Sequence, residues 1–253
     1  MNSVRRFDGK VADYDRYRER YSPEILLPVL RERTGLTAAW EIADIGAGTG
    51  MLSDVFLANG NRVAAVEPNP EMRAACAALH ATPQLAIIDG TAEETGLADS
   101  SVDMVTAGRA MHWFEIDRAM EEFRRILKPD GWIAIIAFGR TEHGHEENEA
   151  LEMLLRLHSD DHADTHAGYT VYHRLSSYLP RDFFHQALIS TMTLDWDGVH
   201  GYAMSLSASP TRAHRGYPAF ERSLRDFFQH YSRDGKVILQ TRYWINLGRF
   251  APR

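Results

Sequence analysis

The sequence predicts an α/β fold, in which a mostly parallel sheet is covered by helices on both faces. Short apolar segments alternate with amphipathic helical segments between residues 40 and 140, and this alternation is typical of a parallel sheet with crossover helices. A glycine cluster also directly follows the first apolar segment. Ligands of such sheets bind at the carboxyl ends of the strands. The residues that follow each strand are therefore the candidates for a functional site.

Five strands are predicted in this half, at residues 40–45, 62–66, 85–88, 102–106 and 132–138. The apolar spacing of Leu52, Val55 and Phe56 predicts a helix over 49–59. Asn69 and Pro70 are typical of a helix start, so a second helix runs to about residue 79. A third covers 116–127, and the Lys-Pro-Asp-Gly sequence at 128–131 predicts a turn before the fifth strand.

The composition of the sequence changes beyond residue 140. Residues 141–175 are acidic, rich in histidine and partly helical, and strands are predicted at 188–196 and 236–247. The sequence contains neither a Gly/Ser-rich linker nor an internal repeat. We therefore expect four parts in one unit: an N-terminal lid (1–35), a core (36–140), an insertion or substrate lid that includes a late strand (141–230), and the final strand with the C-terminus (231–253).

Composition narrows the class of protein. The chain has 253 residues, of which 44% are hydrophobic and 25% charged, so it can bury a full core. Its net charge of −7 argues against a general nucleic-acid binder. Cys76 is the one cysteine, which excludes an internal disulfide framework and a cysteine-based zinc site. We find neither a signal-peptide pattern nor an apolar run of bilayer length, and we expect a cytoplasmic protein that does not enter membranes.

The net charge is unevenly distributed. Residues 1–199 carry −13, whereas residues 200–253 carry nine Lys/Arg and three Asp/Glu, a net charge of +6. An opposite field near the C-terminus would suit an anionic substrate, and it would equally suit a solvated face that balances the acidic segment.

The glycine cluster reads Asp44-Ile45-Gly46-Ala47-Gly48-Thr49-Gly50. Glycines let a backbone approach a ligand closely, and Glu67, at the end of the next strand, can accept hydrogen bonds from a ribose diol. Dinucleotides and S-adenosylmethionine both fit this pattern. The dinucleotide fingerprint needs a third glycine where Met51 stands, and Asp44 would repel a pyrophosphate. A dehydrogenase is therefore the weaker interpretation.

Five ordered blocks of the sequence resemble the class I S-adenosylmethionine-dependent methyltransferases, in the type 11 group that includes ubiquinone/menaquinone-type and trans-aconitate-type enzymes. The blocks are IADIGAGTG at 42–50, VEPNPEM at 66–72, DGTAEETGL at 89–97, SSVDMVTAGRAMHWF at 100–114 and RRILKPDGWIAI at 124–135. The resemblance covers roughly residues 10–140. It implies a doubly wound, Rossmann-like sheet of seven strands, mostly parallel, whose last strand is antiparallel, with a helical lid.

The same resemblance implies how S-adenosylmethionine would be bound. Asp44 would lie near the amino group of the methionine part, Glu67 would hold the ribose hydroxyls, and Asp89 would meet the adenine amino group. The resemblance also implies an N-terminal lid over the cofactor; the alternative for that segment is an amphipathic surface helix. The full set of expected cofactor contacts is Tyr14, Tyr17, Arg18, Asp44, Gly46, Ala47, Gly48, Glu67, Pro68, Asn69, Met72, Asp89, Gly90, Thr91, Ala92, Gly108, Arg109 and Trp113.

The acceptor is expected after the fourth strand, beside the His-Trp-Phe sequence at 112–114. His112 is the candidate catalytic residue, as a base or a hydrogen-bonding group, and its alternative role is to brace the loop. Arg109 would suit a carboxylate, or else forms a salt bridge at the loop edge. Arg212, Arg215 and Tyr217, from the basic C-terminal stretch, complete the candidate substrate contacts.

His158, His162 and His166 are spaced so that a continuous helix would align them on one face, which makes them a candidate metal site. The segment is polar throughout and offers no buried outer shell of ligands, so an exposed lid segment is the better interpretation and no metal is expected.

The sequence as a whole predicts a methyltransferase that uses S-adenosylmethionine as donor and a small molecule as acceptor, with small anions among the candidate acceptors. It is expected to work as a monomer or a homodimer, without nucleic acid or membrane partners. An RNA or protein methyltransferase and a non-catalytic module that binds the same cofactor are the alternatives.

Overall fold

A sheet with helices on both faces organises the described part of the chain. The computed structural model describes residues 16–17, 20–141, 143–159, 172, 174–206 and 209–252. The elements, in chain order, are α1 (Pro23–Thr34), β1 (Glu41–Ile45), α2 (Ser53–Ala58), β2 (Arg62–Val66), α3 (Pro70–Leu79), β3 (Leu85–Ile88), β4 (Val102–Gly108), a 3₁₀ helix (Met111–Trp113), α4 (Ile116–Ile126), β5 (Leu127–Arg140), α5 (Glu146–His158), α6 (Leu175–Tyr178), β6 (Arg181–Leu194), α7 (Trp196–Ser205), α8 (Tyr217–Tyr231) and β7 (Val237–Arg249).

The seven strands form one sheet in the order β3-β2-β1-β4-β5-β7-β6. Strands β1 to β5 pair in parallel with their neighbours, whereas β7 is antiparallel to both β5 and β6. The predicted Rossmann-like sheet of seven mostly parallel strands with an antiparallel last strand is confirmed. Its strand order reverses beside β1, so the loops that follow β1 and β4 lie where such sheets bind ligands.

Alternation along the strands builds a core on each face of the sheet. Ile42 packs in the cluster that includes α1 and α2, whereas its neighbour Ala43 packs in the cluster that includes α4. Successive side chains of a strand point to opposite faces, and both residues are fully buried. Both faces of the sheet are therefore dry near the site, which holds the strand ends in fixed positions.

A third apolar cluster is formed by the later part of the chain. Helices α5, α7 and α8 pack together around Phe220 and Leu224, against Val237 and Leu239 of β7. The segment predicted as an insertion thus contributes both a strand and a helical layer. The boundaries of the four predicted parts of the chain stay predictions. Among the described residues, no helix combines the length and the apolar character needed to cross a bilayer.

Residues 128–131, which were predicted as a turn before the fifth strand, lie inside β5, so the predicted start of that strand at residue 132 is wrong. Val102 pairs with Leu127 and Met104 with Trp132, and the four residues between Leu127 and Trp132 form a bulge in β5. Asp130 keeps the backbone conformation of a turn residue, with φ of +61°. The turn chemistry was recognised correctly, but the strand resumes its pairing on both sides.

Two further elements begin four or more residues away from their predicted starts. Helix α2 begins at Ser53 and not at residue 49, because Gly50 has a φ of +89°, which a right-handed helix cannot accommodate. Strand β6 covers Arg181–Leu194 and not 188–196. Trp196 is helical because Asp195 caps α7, accepting a hydrogen bond of 2.8 Å from the Gly198 amide.

A buried carboxylate ties the loop after β3 to α4. One oxygen of Glu122 accepts hydrogen bonds from the Thr95 amide (2.9 Å) and hydroxyl (2.6 Å), and Arg125 donates to both oxygens. The hydrogen bonds from Arg125 and Thr95 outweigh burial and lower the pKa of Glu122 to about 2.

This lowered pKa predicts an acid-sensitive contribution to stability. The free energy that Glu122 contributes is present above its unfolded pKa and is lost as the pH falls towards 2. We expect Glu122→Gln to lower the free energy of unfolding by about 2 kcal/mol at pH 7, and by less at pH 3. Urea denaturation at both pH values measures this difference, and a difference that does not change with pH would contradict the assignment.

Candidate functional site

The loop after β1 is held by the end of β2. The Val66 carbonyl accepts hydrogen bonds from the amides of Gly46 (2.8 Å) and Ala47 (3.1 Å). Gly46 has a φ of +68°, and a Cβ there would lie 2.7 Å from the Cβ of Ala110. The loop after β4 therefore packs directly on the glycine loop, and position 46 accepts no side chain.

Asp44 lies buried beside this loop. Its side chain is 1% exposed, and the Ser53 hydroxyl donates a 2.7 Å hydrogen bond to Oδ2. No group among the described residues donates to Oδ1. Burial raises the pKa of Asp44 to about 7 against the effect of the Ser53 hydrogen bond, and the nearby Glu67 carboxylate raises it further. A buried acceptor without a donor is costly, so this oxygen indicates a missing cationic or donor ligand.

Glu67, at the end of β2, connects the two loops on either side of it. Its carboxylate accepts hydrogen bonds from the amides of Gly48 (2.8 Å) and Asn69 (2.9 Å). Burial raises the pKa of Glu67, although these two hydrogen bonds and the Arg73 charge act in the opposite direction. Each carboxylate oxygen keeps a further lone pair, so the group can still accept hydrogen bonds from a ligand.

A pocket opens between the glycine loop and the loop after β4. Six of the predicted contacts line it: Asp44, Gly46, Ala47, Gly48, Gly108 and Arg109. Four more lining residues were not predicted: Tyr21, Thr49, Met51 and Leu52. The sequence offered one indication of them, since Met51 stands in the place of the third glycine of a dinucleotide loop.

Arg109 and Tyr21 form part of the wall of this pocket. Arg109 has a φ of +54°, an unfavourable conformation for a residue with a side chain. Its guanidinium carbon lies 5.4 Å from the centre of the Tyr21 ring, and its Nη2 lies 3.8 Å from the sulfur of Met51. Strain of this kind is typical of functional loops, and here it places a cationic group at the pocket.

The predicted catalytic residue His112 lies one turn further along the chain. It is half-buried in the 3₁₀ helix, with its ring centre 4.6 Å from that of Trp113. Neither His112 nor Trp113 is among the residues that line the pocket. Their loop is nevertheless fixed to the site, because Phe114 lies within 3.4 Å of the position of a Cβ on Gly46.

The predicted adenine-side residues lie at the ends of β2 and β3, beside the pocket rather than in its wall. The Asp89 carboxylate is exposed and forms a 2.8 Å ion pair with Arg73. A Cβ on Gly90 would lie 2.9 Å from the Thr95 carbonyl, so this loop is tightly packed. Of the other predicted residues here, Asn69, Met72 and Ala92 are buried, Pro68 is half-buried and Thr91 is exposed.

The predicted lid residue Tyr17 contacts α7. Its hydroxyl donates a 2.9 Å hydrogen bond to Asp197, and its ring lies against Gly201. Tyr14 and Arg18 lie outside the described residues.

The predicted substrate residues of the C-terminal stretch lie near the start of α8. Arg212 and Arg215 are exposed, and the Tyr217 hydroxyl lies 2.9 Å from Nε2 of His200. These residues are not part of the pocket wall.

Of the three histidines considered for a metal, only His158 lies in the described part of the chain. Its ring is 2.9 Å from the Ser223 hydroxyl and packs edge-on against Phe220, and burial lowers its pKa. Across the described residues, no cluster of three or more His, Cys, Asp or Glu side chains is arranged to hold a metal ion.

Comparison with known proteins agrees with this geometry. Residues 43–135 match the family model described as a methyltransferase domain. This stretch of the chain is therefore similar to a methyltransferase domain. The matched residues run from the middle of β1 into β5, so they include the glycine loop, Glu67 and the loop after β4.

The similar curated proteins cover the same region. An uncharacterized methyltransferase of Mycobacterium tuberculosis is 40% identical over 54% of this chain and 53% of its own length. A malonyl-(acyl-carrier protein) O-methyltransferase of Pectobacterium atrosepticum is 36% identical over 48% and 47%, and a ubiquinone/menaquinone biosynthesis C-methyltransferase of Rubrivivax gelatinosus is 36% identical over 40% of each. The chain spans about half the length of the curated relatives it matches.

Solved structures resemble the fold over most of the chain. A protein designated a type II methyltransferase, from Anaeromyxobacter dehalogenans, is 24% identical with a TM-score of 0.65 and covers 94% of this chain and 100% of its own. The YcgJ protein of Bacillus subtilis is 18% identical with a TM-score of 0.51 and covers 89% and 98%. These likenesses concern the fold alone.

The raised pKa of Asp44 predicts how the ligand-free protein responds to pH. An acid whose folded pKa is raised favours the folded state below its unfolded pKa, and that stability is lost as the pH rises through 7. Asp44→Asn removes the titrating group, so we expect it to raise the melting temperature at pH 8 by about 3 °C or more relative to pH 5. Differential scanning calorimetry of ligand-free protein at both pH values tests this, and an equal shift at pH 5 and pH 8 would exclude it.

Two glycines of the loop form a matched pair for a second prediction. Gly46 and Gly48 both have positive φ, but a Cβ on Gly48 has nothing within 4 Å. Gly46→Ala should lower the free energy of unfolding by about 2–3 kcal/mol, because it adds a clash to the backbone strain, and Gly48→Ala by about 1 kcal/mol, from strain alone. Denaturant unfolding measures both, and equal costs would mean that Ala110 moves away freely.

Proposed function

We propose that the protein transfers the methyl group of S-adenosylmethionine to a small anionic acceptor. The observation that carries this proposal is the buried Oδ1 of Asp44, to which no described residue donates. The amino group of the methionine part of this cofactor is a cationic donor of the kind that such an oxygen requires. The methyltransferase domain match over residues 43–135 supports the same reading.

The residues present fit the cofactor. Asp44 would accept from its amino group, the open space at Gly48 would receive its methionine part, and the remaining lone pairs of Glu67 would accept from the ribose hydroxyls. When bound, S-adenosylmethionine supplies a methyl group on a positively charged sulfur, which an acceptor takes by direct displacement. Asp89 would serve the adenine, and its ion pair with Arg73 holds the carboxylate in place for that role.

A pyrophosphate fits the same pocket poorly. Asp44 lies in the wall, and a dinucleotide would bring a second negative charge next to a carboxylate that burial already makes difficult to ionise. The ammonium of a methionine part has the opposite effect, because a neighbouring positive charge stabilises the ionised carboxylate.

The acceptor side of the pocket favours a small anion. Arg109 stands in the wall beside Tyr21, and its planar guanidinium suits a carboxylate. The enzyme of Pectobacterium atrosepticum, similar over about half its length, is named as an O-methyltransferase of malonyl-(acyl-carrier protein). A carboxylate acceptor arrives ionised, so its oxygen attacks without a base.

For an acceptor that arrives protonated, His112 is the residue proposed to accept the proton, from its place in the loop that Phe114 fixes against Gly46. The protein's own contribution is otherwise to orient the acceptor in line with the methyl group and to keep water out. Arg109 orients the acceptor, while Met51 and Leu52 form an apolar part of the wall.

Calorimetry with S-adenosylmethionine, its demethylated product and NAD tests the cofactor. We expect the first two to bind and NAD not to bind, and we expect Asp44→Asn to weaken S-adenosylmethionine binding by about tenfold or more, the cost of one charge-assisted hydrogen bond. Tight binding of NAD without binding of the methyl donor would overturn the proposal.

The acceptor class requires a panel of assays with a labelled methyl donor, using small carboxylic acids, phenols, RNA and protein. We expect transfer to small acids, and about a tenfold or greater loss of kcat/KM in Arg109→Gln with little change in donor affinity. Arg118→Gln, which removes an exposed guanidinium on α4, is the control. Transfer to RNA or protein alone would replace the small-molecule assignment.

A further inference from the structure

The strand β6 forms one edge of the sheet. It comes last in the strand order, and among the described residues its outer side pairs with no other strand. Its register with β7 shifts between Arg181 and Phe184 and then runs without interruption from Phe184 to Leu194. These eleven residues therefore present a regular row of backbone N–H and C=O groups to their open side.

This edge lacks the features that usually protect an exposed strand. Edge strands of soluble proteins commonly carry charged residues, a proline or a bulge. Residues 184–194 read FHQALISTMTL and contain no Asp, Glu, Lys, Arg or Pro. The register shift lies before them and not within them. The edge can therefore pair with another strand along its whole regular length.

The two faces of β6 differ in exposure. Phe184, Leu188 and Met192 pack against the apolar clusters on one face of the sheet, whereas the odd-numbered residues between them are exposed on the other. Ile189 is 54% exposed, and Ile238 on the same face of the neighbouring β7 is 59% exposed. Large apolar side chains that are exposed beside an unpaired edge indicate an interaction surface.

A second copy of the chain is the partner that fits this edge. Antiparallel pairing of a strand with itself about a twofold axis is self-complementary, so each copy supplies the uncharged strand of equal length that the other requires. The chain carries a net charge of −7, and the uncharged edge is a place where two copies can meet without like charges in contact. We propose that β6 pairs with β6 of a second copy and joins two seven-stranded sheets into one.

Full overlap of residues 184–194 places Ile189 at the twofold axis, because it is the middle residue of the eleven. Ile189 of one copy then lies opposite Ile189 of the other, and Ala187 lies opposite Thr191. The Cβ atoms of directly opposed residues are about 4.5–5.5 Å apart, so the two exposed isoleucines cover each other. A ladder of this length supplies about ten hydrogen bonds, which is the number typical of a specific interface.

Sedimentation velocity of the full chain at increasing concentrations tests the pairing. We expect the wild-type protein to dimerise, and we expect Ile189→Lys to raise the Kd of the dimer by about tenfold or more, because it brings two ammonium groups together at the axis. Ile189→Val keeps a β-branched apolar side chain and should still dimerise. Met153→Lys is the matched control, since it adds the same charge at an apolar side chain of α5 that is 72% exposed, and it should leave the Kd unchanged.

A wild-type protein that stays monomeric at every concentration would overturn the proposal. A dimer with the same Kd in Ile189→Lys would overturn it as well, because the two copies would then meet at another surface.

Hydrogen exchange examines the same edge through its backbone. The amides of residues 184–194 that point away from β7 should exchange quickly at low protein concentration and become protected as the dimer forms. In Ile189→Lys this protection should appear only at higher concentrations. Exchange that is independent of concentration in a wild-type dimer would exclude pairing through β6.

Cross-linking tests the register. Cys76 is the one cysteine of the chain and is buried, so Ile189→Cys adds a single accessible thiol. Opposed residues of an antiparallel pair lie near the separation that a disulfide spans. We therefore expect mild oxidation to link Ile189→Cys into dimers at several times the yield of Met153→Cys, and equal yields would refute a pairing centred on Ile189. None of these measurements needs a methyl donor, so their outcomes are independent of the proposed function.

Discussion

Two hydrogen bonds to one carbonyl group, from Gly46 and Ala47 to Val66, fix the loop on which the rest of the site depends. They join the end of β1 to the end of β2, so the next amide, that of Gly48, meets the carboxylate of Glu67. The loop after β4 then packs on Gly46, which leaves no room for a side chain there. The position of each wall of the pocket therefore depends on this short piece of backbone.

The site concentrates negative charge in a dry region. Asp44 and Glu67 are both buried, and burial raises the pKa of each. Cationic groups surround them at the edge: Arg73 reaches the Glu67 carbonyl, and Arg20 shares Asp54 with His80. Burying these two carboxylates lowers the stability of the fold when no ligand is bound. A positively charged ligand in the pocket would offset this cost.

Local patterns predicted the first half of the chain well. Strands β2 and β3 have the predicted bounds, and α3 begins at the predicted Asn69 cap, because apolar runs and capping residues are local properties of the sequence. Helices α7 and α8 were not predicted, since the acidic and basic segments around them obscured their apolar faces. Tyr21 and Leu52 were missed at the site for a different reason. Their roles follow from packing between distant segments, to which no spacing rule applies.

The position of β7 has a consequence for how the molecule assembles. The strand comes last in the chain but lies between β5 and β6, where it pairs with both. Until β7 is made, β6 has no neighbour in the sheet and β5 keeps an open edge, so a nascent chain exposes two unsatisfied rows of backbone groups next to the finished half. The half that would bind cofactor has all its strands once β5 is made, whereas the other half waits for its final residues. Synthesis therefore leaves a period in which β5 and β6 both present unpaired edges, which are open to pairing with other chains.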